Sequence, residues 1–237
     1  MSVIFPPFAG FSPEALAFLR ALAANNDREW FAGRKADYER LIQTPQCALL
    51  AALAPAMRTI DPQFETSPRG GAVSRIHRDT RFSKDKQPYR IKQWITFRRR
   101  SEIWADRPAY FVGFDLEGYS WGMGFYQASP ATMAALRAHI ASNPARLQAL
   151  MATVRGLGFD LKGEYYKRPQ SKLELSEDIA DFNRMKTTYI CQTRSFDDVF
   201  FSELLADIVQ AGFVATAELY HYLMGVAEQQ EAIAERT

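Results

Sequence analysis

The chain has 237 residues, enough for one large domain or a small pair, and its 47% hydrophobic and 24% charged content is that of an ordinary globular protein. This composition excludes wholesale disorder, and a formal net charge of +2 is too small for a general coat for nucleic acid. Two cysteines, Cys47 and Cys191, lack metal-ligand spacing and read as reduced thiols of a cytosolic protein. The start, MSVIFPPFAGF, has no basic segment and no long apolar run, so no signal peptide is expected. No stretch reaches the roughly 18 apolar residues of a membrane span. A cytoplasmic protein with no membrane partner is the expectation.

The first third of the chain predicts helices. Ser12-Pro13-Glu14 offers an N-cap hydroxyl, a proline at the first helical position and an acid in the positive first turn. Leu16, Phe18, Leu19 and Leu22 then form an apolar stripe. Asn25-Asn26 ends this helix and Asp27 caps a second, along which Trp30, Phe31, Tyr38, Leu41 and Ile42 recur at roughly helical spacing. A third helix is predicted over Gln46 to Ile60, kinked or shortened at Pro55.

The middle predicts antiparallel sheet. Residues 72–80 and 92–97 read as extended, and residues 109–127 read as a β-hairpin turning at Glu117-Gly118. With Leu116 opposite Tyr119, the hairpin's apolar face gathers Tyr110, Val112, Phe114, Trp121, Met123 and Phe125. The other face carries Gly113, Gly122 and Gly124, a shallow trough for either a closely packed helix or a ligand.

Ser129-Pro130 and Asn143-Pro144 each start a helix, the second ending near Gly156-Leu157-Gly158. A loop-rich stretch, LKGEYYKRPQSKLEL, follows. A brief helix from Ser176 to Arg184, a strand over 187–192 and a helical segment from Asp197 to the low 230s, broken at Gly212, complete the pattern. The expected fold is a single α+β domain, mainly an antiparallel central sheet packed by N-terminal and C-terminal helices.

The chemistry concentrates in SRIHRDTRFSKDKQPYRIKQW, residues 74–94. Residues 74–100 hold ten Arg or Lys against Asp79 and Asp85, a local charge of +8, so the remainder of the chain carries −6. On an extended segment Arg75, His77, Asp79 and Arg81 share one face, while Ile76, Thr80 and Phe82, interrupted by Arg78, share the other. Planar guanidinium forks beside an orienting carboxylate suit a phosphate or carboxylate. The turn-rich SKDKQPYR adds Lys84, Lys86 and Arg90, which could close over a bound anion.

Three functional readings follow. In the first, Arg75, Arg78, Arg81, Lys84, Lys86, Tyr89 and Arg90 bind an anionic small molecule, with Tyr89 or Trp94 flanking its organic part. If chemistry occurs there, His77 or Asp79 is the acid–base candidate. In the second, basic residues interleaved with Phe82, Tyr89 and Trp94 track a single-stranded nucleic acid. In the third, the run is a salt-bridged brace, paired with acids such as Asp115 and Glu117.

His139 and His221 read as helix-packing residues. No phosphate-binding glycine loop, nucleophile elbow or HExxH motif is present, so no cofactor is implied. Three dispersed histidines and two distant cysteines make no zinc site, and Asp115-x-Glu117 is the one weak arrangement for magnesium.

Phe8-x-Gly10-Phe11, NNDREWF at 25–31 and above all RDTRFSKDKQPYR at 78–90 resemble the domain of unknown function 2461 family. The likeness extends through the hairpin, SPATMAALRAHI and the KRP segment at Lys167. The resemblance implies a one-domain protein and supplies no catalytic residues. It places an aromatic where His77 stands and a Lys-Thr pair where Arg90-Ile91 stands, which weakens a catalytic role for the imidazole. The family's Pro-Arg-Gly type loop gives way here to KRPQSKLEL, an edge at which the site would differ.

Overall fold

The computed structural model describes residues 5–101 and 104–234. Among them lie eight α-helices and one five-stranded antiparallel sheet, an α+β fold in which the strands run β1-β2-β3-β5-β4. The strands are β1 (Gln93–Phe97), β2 (Pro108–Phe114), β3 (Tyr119–Phe125), β4 (Asp160–Lys162) and β5 (Thr188–Arg194). The chain divides into two compact units. The first comprises Met1–Phe97, Phe111–Trp121 and Thr193–Ala211; the second comprises Arg98–Tyr110, Gly122–Gln192 and Gly212–Thr237.

In the first unit, α1 (Pro13–Ala24) begins where its proline dictates and buries Leu16, Phe18, Leu19 and Leu22. Asp27 caps α2 (Arg28–Ala32), its carboxylate accepting from Trp30 N at 2.8 Å. The long helix expected over 28–42 is instead broken at Gly33-Arg34. It continues as α3 (Lys35–Tyr38) and a π-helical turn, Glu39–Gln43. Phe31, Tyr38 and Ile42 are all buried. Helix α4 (Thr44–Ile60) runs straight through Pro55 and packs against β1. The carbonyl that Pro55 leaves without a donor belongs to exposed Ala51, where water can satisfy it.

Phe8 and Phe11 sit in an aromatic core, with Phe11 stacked on Phe200 at 5.0 Å and tilted on Phe114 at 4.5 Å. Gly10 between them has φ +96, and a Cβ there would meet the Phe201 backbone at 2.4 Å. The β2–β3 loop closes where Asp115 N donates to Gly118 O at 3.1 Å, one residue earlier in the chain than the expected Leu116–Tyr119 closure. A pairing shift of two residues preserves every face, so the expected apolar set is buried.

In the second unit, α5 (Pro130–Ser142) and α6 (Pro144–Gly156) start at side-chain caps, Ser129 accepting from Thr132 N and Asn143 from Arg146 N. Both pack with α8 (Ala217–Ala234). Strand β4, which arises inside the stretch read as loop, pairs antiparallel with β5, Leu161 opposite Ile190. Helix α7 (Leu204–Ala215) passes through Gly212; the break comes at Thr216, whose hydroxyl donates to Gly212 O and Phe213 O at 3.0 Å each. A hydroxyl capping the last carbonyls ends this helix, not the flexible glycine.

The glycine trough holds neither a helix nor open space. A Cβ at Gly122 would stand 1.9 Å from Ile190 O, and one at Gly124 would stand 2.4 Å from Thr188 O. At Gly113 it would meet Gln93 O at 2.7 Å. Neighbouring strands fill the space a side chain would take. Gly122→Ala should therefore lose about 1–3 kcal/mol in urea unfolding. Gly225→Ala, in α8 with nothing within 4 Å of the added methyl, should gain up to about 1 kcal/mol. Equal effects would mean the strand approach is not what excludes a side chain at 122.

Candidate functional site

The basic run is not a regular strand. Residues 72–95 fold back on themselves as an irregular two-stranded arm, held by isolated bridges Val73↔Ile95 and His77↔Tyr89. Four backbone hydrogen bonds of 2.7–2.8 Å join its sides: Ser74 N to Trp94 O, Thr96 N to Ala72 O, Arg78 N to Pro88 O and Arg90 N to Ile76 O. The expected alternation holds along the first side. Arg75, His77 and Asp79 are exposed, while Ala72, Ser74 and Ile76 are buried. It fails at the tip, where Phe82 is 94% exposed instead of packed with Ile76.

The arm is fixed at its root by the NNDREWF segment. The Asn26 amide acts as an extra strand residue: Tyr89 N donates to Oδ1, and Nδ2 donates to Tyr89 O, both at 3.0 Å. Phe31 stacks on the Tyr89 ring at 4.1 Å, and the His77 imidazole lies 5.2 Å from that ring. Two segments fifty residues apart in the sequence thus form one structure. Tyr89, expected to face a ligand, is 5% exposed and belongs to this packing instead.

The tip is organised by its two acids. Asp79 takes the Arg81 guanidinium in a fork, with Nη2 at 2.7 Å and Nε at 3.0 Å, and it also accepts from Arg81 N. Arg78, 24% exposed, pairs with Asp85, which accepts from Gln87 N as well. Lys86 Nζ donates to Thr80 O at 2.9 Å. Arg90 Nε donates to His77 O at 3.2 Å, and its guanidinium lies over the Trp94 ring at 5.1 Å. Arg75 and Lys84 are exposed and have no side-chain partner among the described residues.

The bracing expected from Asp115 and Glu117 is absent. Neither makes an ion pair among the described residues, and Asp115 accepts from Glu117 N to close the hairpin loop. The end of the basic run lies in the second unit, where Arg99 pairs with Glu228 at 2.6 Å. Among the described residues no three His, Cys, Asp or Glu side chains gather at metal-binding distance. No described helix is long and apolar enough to cross a membrane. Cys47 and Cys191 are both buried. His139 packs its ring against Tyr222 at 4.9 Å, while His221 is exposed beside Tyr220.

A family model described as "Conserved hypothetical protein (DUF2461)" matches residues 14–222. The chain belongs to the DUF2461 family. The matched span contains both the Asn26 anchor and the whole arm, whereas the Phe8–Phe11 motif lies before it. A search of curated proteins finds no match. In this DUF2461 chain the segments that carried the resemblance, Asn25–Phe31 and Arg78–Arg90, are the ones that pack on each other.

The geometry bears on the two acid–base candidates. Hydrogen bonds from Arg81, first from its guanidinium and then from its N–H, hold the Asp79 carboxyl down at about 2. Such a group stays ionised near neutrality and cannot carry a proton as a general acid. Because the folded value is depressed, the pairing stabilises above the ordinary carboxylate value of about 3.9 and is lost as pH falls through about 2. A carboxyl-detected NMR titration should give Asp79 a midpoint near 2, rising toward about 3.9 in Arg81→Ala. An unchanged midpoint in the variant would contradict the assignment of Arg81 as its cause.

Proposed function

We propose that the protein binds a phosphate-bearing anion through the arm spanning Arg75–Arg90. One observation carries the proposal: Arg75 and Lys84 are exposed cations with no partner among the described residues, on a ribbon whose root is packed and hydrogen-bonded. Arg81 joins them already oriented, because Asp79 occupies its Nε and Nη2 and leaves Nη1 to the surroundings of an exposed side chain. Holding cations in place before a ligand arrives reduces the ordering cost of binding. Arg78, Lys86 and Arg90 serve the same end indirectly, by tying the loop to itself.

A second reading is favoured by Phe82. Its 94% exposure, beside the Arg81 guanidinium at 5.7 Å from the ring, suits stacking on a base of single-stranded nucleic acid. Tyr89 is buried and Trp94 is covered by Arg90, so stacking rests on Phe82 rather than on the three aromatics expected from sequence.

Thermal unfolding with inorganic phosphate, sugar phosphates, nucleotides and short oligonucleotides separates the two. A ligand at about a hundredfold excess over Kd stabilises the folded protein by about 2.7 kcal/mol. Arg75→Ala/Lys84→Ala should remove most of that shift while keeping unliganded stability within about 0.5 kcal/mol, since both side chains are exposed and neither has a hydrogen-bond or ion-pair partner among the described residues. An undiminished shift in the double variant would refute the proposal. For a nucleic-acid partner, affinity falls steeply with salt, and Phe82→Ala costs about 1–3 kcal/mol with oligonucleotides but nothing with phosphate.

A further inference from the structure

We infer that the second unit carries a separate oxyanion site, for a phosphate or carboxylate group, built on Arg137. On α5 the buried side chains Met133, Leu136, Arg137 and Ile140 lie on one stripe, so a guanidinium stands where the helix otherwise presents hydrocarbon. Arg137 is only 8% exposed. Its one hydrogen bond runs from Nη1 to the neutral carbonyl of Met185, at 3.2 Å. No acid pairs with it among the described residues.

A buried cation without a counter-charge is costly, and arginine cannot relieve the cost by losing its proton. Nearby acids are otherwise engaged: Glu164 pairs with Lys186 at 2.8 Å, and Asp181 accepts from the Tyr165 hydroxyl at 3.3 Å. Burial lowers the Arg137 pKa, the mark of a charge that the protein does not neutralise. Its remaining donors are nevertheless not sealed. The buried polar atoms left without any partner belong to Ser12, Gln46, Trp121 and Tyr222, and none to Arg137. The guanidinium is therefore recessed, with an edge that reaches solvent.

One further group lies within its range. The half-buried Tyr166 side chain lies within electrostatic range of both Arg137 and Lys186. Its backbone is fixed by a bond from Tyr166 N to Arg184 O at 2.8 Å. The guanidinium and the phenol hydroxyl are donors of the kind an oxyanion requires, whereas the Lys186 ammonium is already paired with Glu164. The site's residues belong to the second unit and those of the arm to the first.

The test is a titration of the isotope-labelled protein with sodium phosphate and, in parallel, sodium acetate, each against sodium chloride at matched ionic strength. The Arg137 Nε–H resonance should shift saturably with one or both oxyanions, and equally so in Arg75→Ala/Lys84→Ala. The salt that saturates first identifies the group as phosphate or carboxylate. Arg137→Gln should abolish the shifts at the Tyr166 and Lys186 amides and leave those on the arm. A wild-type Arg137 resonance unmoved by either oxyanion would make the residue a brace for the Met185 carbonyl and overturn the inference. Shifts at Tyr166 that survive in Arg137→Gln would overturn it too. Should that variant fail to fold, the wild-type resonance decides alone.

Discussion

The two hydrogen bonds between the Asn26 side chain and the Tyr89 backbone determine where the charged arm stands. An irregular ribbon joined by isolated bridges has few ladder bonds of its own, so its root needs an outside partner. The Asn26 amide supplies a donor and an acceptor at the spacing of a neighbouring strand, and Phe31 covers the Tyr89 ring. Removing the amide would take one acceptor and one donor from the backbone of a buried residue. The root is therefore the ordered part of the arm, and the cations beyond it are carried outward on a fixed base.

Charge at the tip follows a different logic from charge in the second unit. The Asp79–Arg81 pair is exposed, with side-chain accessibilities of 52% and 77%, so solvent screens it and its contribution to stability is small. Its effect is directional: the carboxylate fixes the Arg81 guanidinium, while Arg75 and Lys84 are left exposed. Arg137 is the reverse case, a cation removed from water and given only a carbonyl. An exposed cation attracts an anion at little desolvation cost and with little selectivity. A recessed one binds fewer ligands but gains more from each.

Much of the fold was legible because local chemistry decided it. Ser12-Pro13, Asp27, Ser129-Pro130 and Asn143-Pro144 start helices wherever they occur, and the alternating aromatics of 108–125 have only one face to bury. Misreadings fell where a tertiary partner overrides the local signal. Pro55 stays within α4 because the carbonyl it leaves without a donor belongs to exposed Ala51, α7 ends at a threonine hydroxyl rather than at Gly212, and β4 forms because β5 offers it an edge. At the candidate site, the alternation of Arg75, His77 and Asp79 was visible, and so was the concentration of charge. Tyr89 was misassigned because nothing near it in the sequence announces Asn26 and Phe31. Arg137 was missed because a lone arginine in a helical pattern normally marks the solvent side. Only its position on the stripe of Met133, Leu136 and Ile140 could have flagged it.

The most direct measurement is a calorimetric titration of wild type and Asn26→Ala with the phosphate compound that stabilises the wild type most. Asn26→Ala keeps every cation and removes only the anchor. If the arm works by holding its cations in place, the wild type binds saturably and the folded variant binds more weakly, with a larger entropic penalty. Equal affinity in the two proteins, or no saturable binding of any phosphate compound to the wild type, would contradict the anchored arm as the binding element.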